Sequence, residues 1–268
     1  PILYTGYVST TNMSLYHWAD YRFIGLANYA RALFKFNSGF LSALWITILW
    51  TLINMVLQIG IGFLIAIGLN SPALRLQRMY KTLLMLPWAM PAYISILLWR
   101  VGIFNTEFGV LNKLLTMLGL GKVDFLGSNT IAFCSCLALN LWMALPFMIS
   151  TIDGALQSVD RNLYESARLD GAGFWTCLRS ITVPAIWPIV APAAVMTTFI
   201  TFKQFDIIYL LTQQRGYMTG ASLNTVITYA HQNAFVSNNY GLSSAVSMLL
   251  FVVIIAFSLM TNRSLREE

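Results

Sequence analysis

Charge is scarce in this chain. Only 10% of its 268 residues are Asp, Glu, Lys or Arg, against about 25% in an ordinary soluble domain. With 57% of residues hydrophobic, this composition belongs to a polytopic membrane protein. Three cysteines (Cys134, Cys136, Cys177) and two distant histidines (His17, His231) fit neither a disulfide framework nor a metal-ligand spacing. Cys134 and Cys136 lie in an apolar run and read as small core residues. The G-x-x-x-x-G-K-[ST] phosphate cradle is missing, so ATP hydrolysis is not expected here. Acidic residues scatter over loops without an acid–base pair, which argues against a membrane enzyme. A net charge of +6 without a basic, aromatic-interleaved patch gives no reason to expect nucleic acid. Alternating apolar residues over about ten positions, the mark of a transmembrane barrel, are absent too.

Long apolar runs are what the chain does have. Residues 40–69, 82–104, 130–152, 184–205 and 241–262 are each long enough to cross hydrocarbon, which takes about 20 residues. PILYTGY at the start reads as the last turns of a further span whose beginning is missing, and nothing resembles a cleavable signal peptide. The expected fold is therefore all-α, a membrane core of six transmembrane helices with the first mostly missing. Pro87 and Pro91 interrupt the 82–104 run, Pro146 the 130–152 run, and Pro184, Pro188 and Pro192 the 184–205 run. Such breaks gather at substrate paths in transporters, the plain alternative being simple kinks. Residues 206–240 form a polar excursion with room for a short re-entrant or surface helix.

Between the fourth and fifth spans lies a polar stretch, Tyr164–Pro184 (YESARLDGAGFWTCLRSITVP). Asp160 or Asn162 can cap a helix there, and Asn162 with Glu165 has capping-box spacing. Gly171 and Gly173 suit a helix stop, and Phe174–Ile181 a second short helix ending before Pro184. Such short helices are marginal in water alone, so the stretch should rest on its own membrane domain or on a partner. An ordinary amphipathic loop on the membrane surface is the simpler alternative.

Glu165-Ser166-Ala167, three residues, Gly171, nine residues, Ile181, one residue and Val183-Pro184 together resemble the cytoplasmic "EAA" loop of the membrane subunits of bacterial ATP-binding-cassette (ABC) importers. Ser166 and Val183 depart from that pattern only as small or apolar replacements. Phe23-Ile24-Gly25-Leu26-Ala27-Asn28-Tyr29 resembles the F-x-G-L-x-N-Y segment of the carbohydrate importers, and Phe104-Asn105, Gly109 and Asn112 also resemble those permeases. The chain is thus similar to permease subunits of bacterial carbohydrate ABC importers, of the maltose-transporter MalF-like kind.

The resemblance implies one transmembrane domain over 1–268, with a cytoplasmic coupling loop over 153–183. Glu165, Ser166, Ala167, Arg168, Leu169, Asp170 and Gly171 would couple to the ATPase, with Ala167 and Leu169 packed in its groove. It implies a second related permease, two ATPase subunits carrying ATP and Mg, an extracytoplasmic solute-binding protein, a carbohydrate substrate and the bacterial inner membrane. A homodimer in place of the permease pair stays open. No cofactor is expected on this chain. Lys and Arg are balanced, with Arg75, Arg78, Lys81, Arg161, Arg168, Arg179, Arg263 and Arg266 inside; the shorter inside segments still fit a cytoplasmic motif loop.

By position, the resemblance implies a mid-membrane sugar pocket faced by Met143, Ala144 and Phe147 around Pro146 and by Thr197, Ile200, Thr201 and Gln204, with Lys203 beside them. Thr197, Thr201 and Gln204 share a helical face, and Lys203 and Asp206 are spaced to pair. The family's maltose site has asparagines and a tyrosine where this chain has Thr201, Gln204 and Phe147. Lys203 raises the expectation of an acidic oligosaccharide, an interior charge being costly unless it has a function; at the outer interface it would merely be solvated. An importer for amino acids, phosphate or another solute is the alternative, and a secondary transporter a more distant one.

Overall fold

The computed structural model describes residues 1–35, 39–71, 74–212 and 223–264. Among these residues the architecture is helical throughout, with one isolated antiparallel bridge between Thr11 and Phe23. Arg266, counted on the inside of the charge balance, lies outside them.

Helix α3 (Phe40–Leu69) runs unbroken for 30 residues and packs against α7 (Asn129–Gln157) and α10 (Val183–Phe202). The three meet through Met55 and Ala66, Met148 and Ile152, and Ile186 and Val190. Gly62 permits the approach: a Cβ there would sit 3.1 Å from Met148 Cγ. The other long helix, α13 (Tyr240–Ser264), packs on α1 (Ile2–Ser9), α2 (Ala27–Phe34) and α12 (Val226–Phe235). Among the described residues four helical stretches are apolar and long enough to cross a membrane, and over the most hydrophobic part of α3 only 33% of residues are buried within the chain. A helix apolar all round yet mostly uncovered by its own chain faces lipid or partners, as in a multi-pass membrane protein.

The expected 82–104 span is not one straight crossing. It begins at α4 (Gln77–Ala89), bends by 94° and continues as α5 (Ala92–Leu98) with a π-helical turn over Trp99–Ile103. The cause is Pro91, which forces Met90 into extended backbone (φ −86°, ψ 139°). Pro87, by contrast, stays inside α4. The 206–240 excursion holds α11 (Asp206–Thr212) as well as α12. α11 is no surface helix, because Ile207, Ile208 and Leu211 join Trp50, Ile96 and Leu139 in the core.

The two loop segments that resemble the sugar permeases are structural knots. Asn28 is buried and donates from Nδ2 to the carbonyls of Ser9 (2.9 Å) and Thr11 (2.8 Å), satisfying groups at the end of α1. Tyr29 Oη and Ser9 Oγ lie 2.6 Å apart. Asn112, in α6 (Val110–Met117), donates to the carbonyls of Asn105 and Val123 and accepts from the Val123 N–H. Gly109 is required there, since a Cβ would fall 2.3 Å from the Asn105 carbonyl oxygen.

Candidate functional site

The motif loop forms a short helix closed at both ends by turns. α8 spans Arg161–Leu169, and Asp160 is its cap, accepting the Asn162 N–H at 2.9 Å. The Asn162–Glu165 capping box does not form, because Asp160 already occupies the capping position. At the other end the Gly171 N–H reaches the Arg168 carbonyl (3.1 Å) and the Ala172 N–H reaches Ala167 (2.9 Å). With Gly171 at φ +78°, these bonds make a Schellman closure. Helix α9 (Phe174–Cys177) does not end before Pro184 as the sequence suggests. It passes through a π-helical turn (Leu178–Thr182) into α10, where Pro184 sits in the first turn. The missing proline N–H is harmless there, and the wide turn makes room for the ring.

α8 rests on its own chain along one side. Tyr164 Oη lies 3.0 Å from Thr182 Oγ1, and Ala167 on the same side is half-buried, so it faces its own chain. Leu163 and Ser166 are exposed, as are Glu165, Arg168 and Asp170, and Leu169 is 90% exposed. Phe174 and Trp175 add further exposed apolar surface beside them. Glu165 pairs with no cation among the described residues, whose ion pairs are His17–Asp20, Lys81–Asp153 and Lys122–Glu107. Behind α8 a cleft of about 810 Å³ is lined in part by Asn70, Gln157, Tyr164, Glu165 and Arg168. The loop thus offers a preformed helix with an unpaired carboxylate and an uncovered leucine, features suited to docking in a groove.

The expected substrate residues differ widely in exposure. Around α10, Ile200 is 51% exposed, Thr197 is buried and Thr201 is 3% exposed, with half-buried Gln204 just past the helix end. Thr197 Oγ1 donates back to the Ala193 carbonyl (2.8 Å). Lys203 caps the helix C-terminus and is exposed, and α11 starts anew at Asp206. The helix break between them explains why no Lys203–Asp206 ion pair forms among the described residues. On α7, Met143 packs on the core, Ala144 is half-buried and Phe147 is exposed.

A buried polar seam went unread in the sequence. Thr47, Thr51, Asn54 and Gln58 share one face of α3, and all are buried. Asn140 Nδ2 on α7 donates to Asn54 Oδ1 at 2.6 Å, and the Val226 N–H of α12 donates to Thr47 Oγ1 at 2.9 Å. Gln58 is wholly buried, yet among the described residues neither its Oε1 nor its Nε2 has a hydrogen-bond partner. The spacing of polar residues within an otherwise apolar run was the available signal. Outside the seam, His231 on α12 packs among Phe205, Tyr209 and Phe235 at centroid distances of 4.8–5.0 Å, and burial pushes its pKa down.

Residues 58–266 match the family described as "Binding-protein-dependent transport system inner membrane component". The galactooligosaccharides transport system permease protein GanP of Bacillus subtilis is 30% identical over 280 residues, covering 100% of this chain and 67% of GanP. The trehalose/maltose transport system permease protein MalF of Thermococcus litoralis is 32% identical over 237 residues, 88% of this chain and 78% of its own length. The maltodextrin permease MalC of Streptococcus pneumoniae is 29% identical, and the match takes in 65% of its length. The chain therefore spans about two thirds of the length of several such relatives. Among solved structures, a bacterial ABC transporter involved in import of the acidic polysaccharide alginate aligns over 99% of this chain and 90% of its own. Its TM-score is 0.82 at 23% identity, a likeness of fold.

Proposed function

Because the chain belongs to the family of binding-protein-dependent transport system inner membrane components, we propose that it is the permease subunit of an ATP-driven oligosaccharide importer. In this reading α8 lies on the cytoplasmic side of a bacterial inner membrane and seats in a groove of one ATPase subunit. A second related permease completes the path, and two ATPase subunits hold ATP and Mg. An extracytoplasmic binding protein delivers the sugar.

The observation that carries this reading is the α8 loop. Its helix is fixed at both ends, by Asp160 and by the turn at Gly171, before any partner arrives. Little ordering entropy remains to be lost on docking. Glu165 is free to meet a basic group of the ATPase, and Leu169 to fill an apolar hollow. Closure of the ATPases on ATP then moves α8 as a unit. The Tyr164–Thr182 contact passes that motion to α10, and residues 158–160 pass it to α7. α10 and α7 carry the expected substrate residues, so rocking these helices turns them from one side to the other. Each state is favoured only by what contacts it better, ATP below and loaded binding protein above.

An oligosaccharide cargo is supported by the names of the relatives, which handle galactooligosaccharides, trehalose and maltose. An acidic cargo rests on the exposed Lys203 at the end of α10. Uptake by proteoliposomes of the full complex, with neutral and uronate oligosaccharides side by side, tests both. Sugar uptake dependent on ATP is expected, and Lys203→Gln is expected to lower uronate uptake alone. Equal loss for neutral sugars makes Lys203 structural, and import of amino acids or phosphate instead of sugar refutes the carbohydrate assignment.

A further inference from the structure

α4 packs on α7 and α3, yet none of its 13 residues is fully buried. Beyond it the chain bends by 94° into α5. Two polar contacts tie its first turns to the bundle. Gln77 donates from Nε2 to the Leu69 carbonyl at the end of α3. Lys81 Nζ lies 2.7 Å from Asp153 Oδ2 on α7, with side-chain exposures of 30% and 13%. Asp153 is a hub, since its Oδ1 also accepts from Asn70 Nδ2 (2.7 Å) and its Oδ2 from Gln157 Nε2 (2.9 Å). Asn70 and Gln157 in turn line the cleft behind α8, together with Tyr164 and Glu165. One carboxylate thus joins the ends of α3 and α7, the first turns of the broken span, and the wall facing the motif helix.

We propose that Asp153 and Lys81 are positioning residues for transport, a charged tether through which displacement of α8 reaches the broken α4–α5 span. This rests on the importer reading given above. A mostly buried ion pair is a poor source of stability: replacing both partners by apolar residues is often neutral or better, whereas removing one leaves a charge stranded. The use of such a pair lies in fixing which groups move together. Here it couples a helix with no fully buried residue to the end of α7 that leads directly into α8. The adjoining cavity of about 220 Å³, lined by Lys81, Thr82, Met85, Ser150 and Asp153, leaves α4 room to shift if the tether is cut.

The decisive variant is Lys81→Met with Asp153→Leu, made in the full chain and purified with its partner subunits. It should fold and assemble like the parent while sugar transported per ATP hydrolysed falls about tenfold, a typical size for coupling between sites. The exchanged pair, Lys81→Asp with Asp153→Lys, should recover most of that ratio, because Asn70 and Gln157 can turn their amide oxygens toward the new ammonium. Amide hydrogen exchange over Gln77–Ala89 gives a readout that needs no transport, and it should quicken in the apolar variant and return with the exchanged pair. An unchanged transport ratio in the apolar variant overturns the proposal, as does unchanged exchange in α4. A parent complex that imports no sugar, with α4 exchange still responding, leaves the tether standing and removes the importer reading instead.

Discussion

Gly171 is the position where local backbone physics makes the sharpest demand on the motif loop. Its φ of +78° lies in the left-handed region, and a Cβ added there meets nothing within 4 Å. Any cost of Gly171→Ala is therefore conformational, with no steric share. The left-handed region costs an L-residue about 1–2 kcal/mol. The loss of chain freedom in the unfolded state returns about 0.4–1 kcal/mol. The net is about 1 kcal/mol, or about a fivefold fall in the ratio of closed to open turn. Gly173, two residues on, is an internal control: it too has open space around its Cβ position, but its φ is −78°. Gly173→Ala should thus be close to neutral, and Gly171→Asn intermediate, since asparagine tolerates this region. Hydrogen exchange of the Ala172 amide, which bonds to the Ala167 carbonyl, reads the turn directly. About fivefold faster exchange is expected for Gly171→Ala, with the order Ala, Asn, Gly in ATPase affinity from weakest to tightest. Equal behaviour of the two alanine variants would refute the claim that a left-handed turn holds α8 in place.

Glu165→Ala combined with Gly171→Trp should leave the chain inserted at normal levels while uncoupling ATP hydrolysis from uptake; full uptake in that variant refutes the coupling role. Gln58→Met replaces a buried, unpartnered amide by an apolar side chain of similar size. Relief of that desolvation should raise detergent-solubilised stability by roughly 1–3 kcal/mol, seen as a higher melting temperature. A fall would mean that the amide has a partner in the working protein, such as an ordered water or the sugar itself.

Much of this architecture was legible because lipid imposes simple rules. Apolar runs long enough to cross hydrocarbon became α3, α7, α10 and α13, and their ends lie near those the sequence suggests. The motif spacing located α8 and its closing glycine. Prolines were harder to read, because their effect depends on neighbours. Pro91 breaks a span through the residue before it, whereas Pro184 sits inside a helix that a π turn has widened. Asn28 and Asn112 looked like family markers, and only the fold shows them satisfying backbone groups from distant segments. The Asp153 tether joins residues 72 positions apart in sequence (153 − 81), which no local pattern reveals. The polar seam of α3 was visible in principle as a four-, three-, four-residue spacing from Thr47 to Gln58, but average hydrophobicity conceals it.

The most direct test of the central claim is purification of the tagged full-length protein from its own membrane, with subunit stoichiometry and ATP turnover measured on the same sample. A second permease and two copies of an ABC ATPase per chain are expected, with turnover raised by a sugar-loaded binding protein. A chain that purifies alone, or with an ATPase indifferent to every sugar-loaded binding protein, contradicts it.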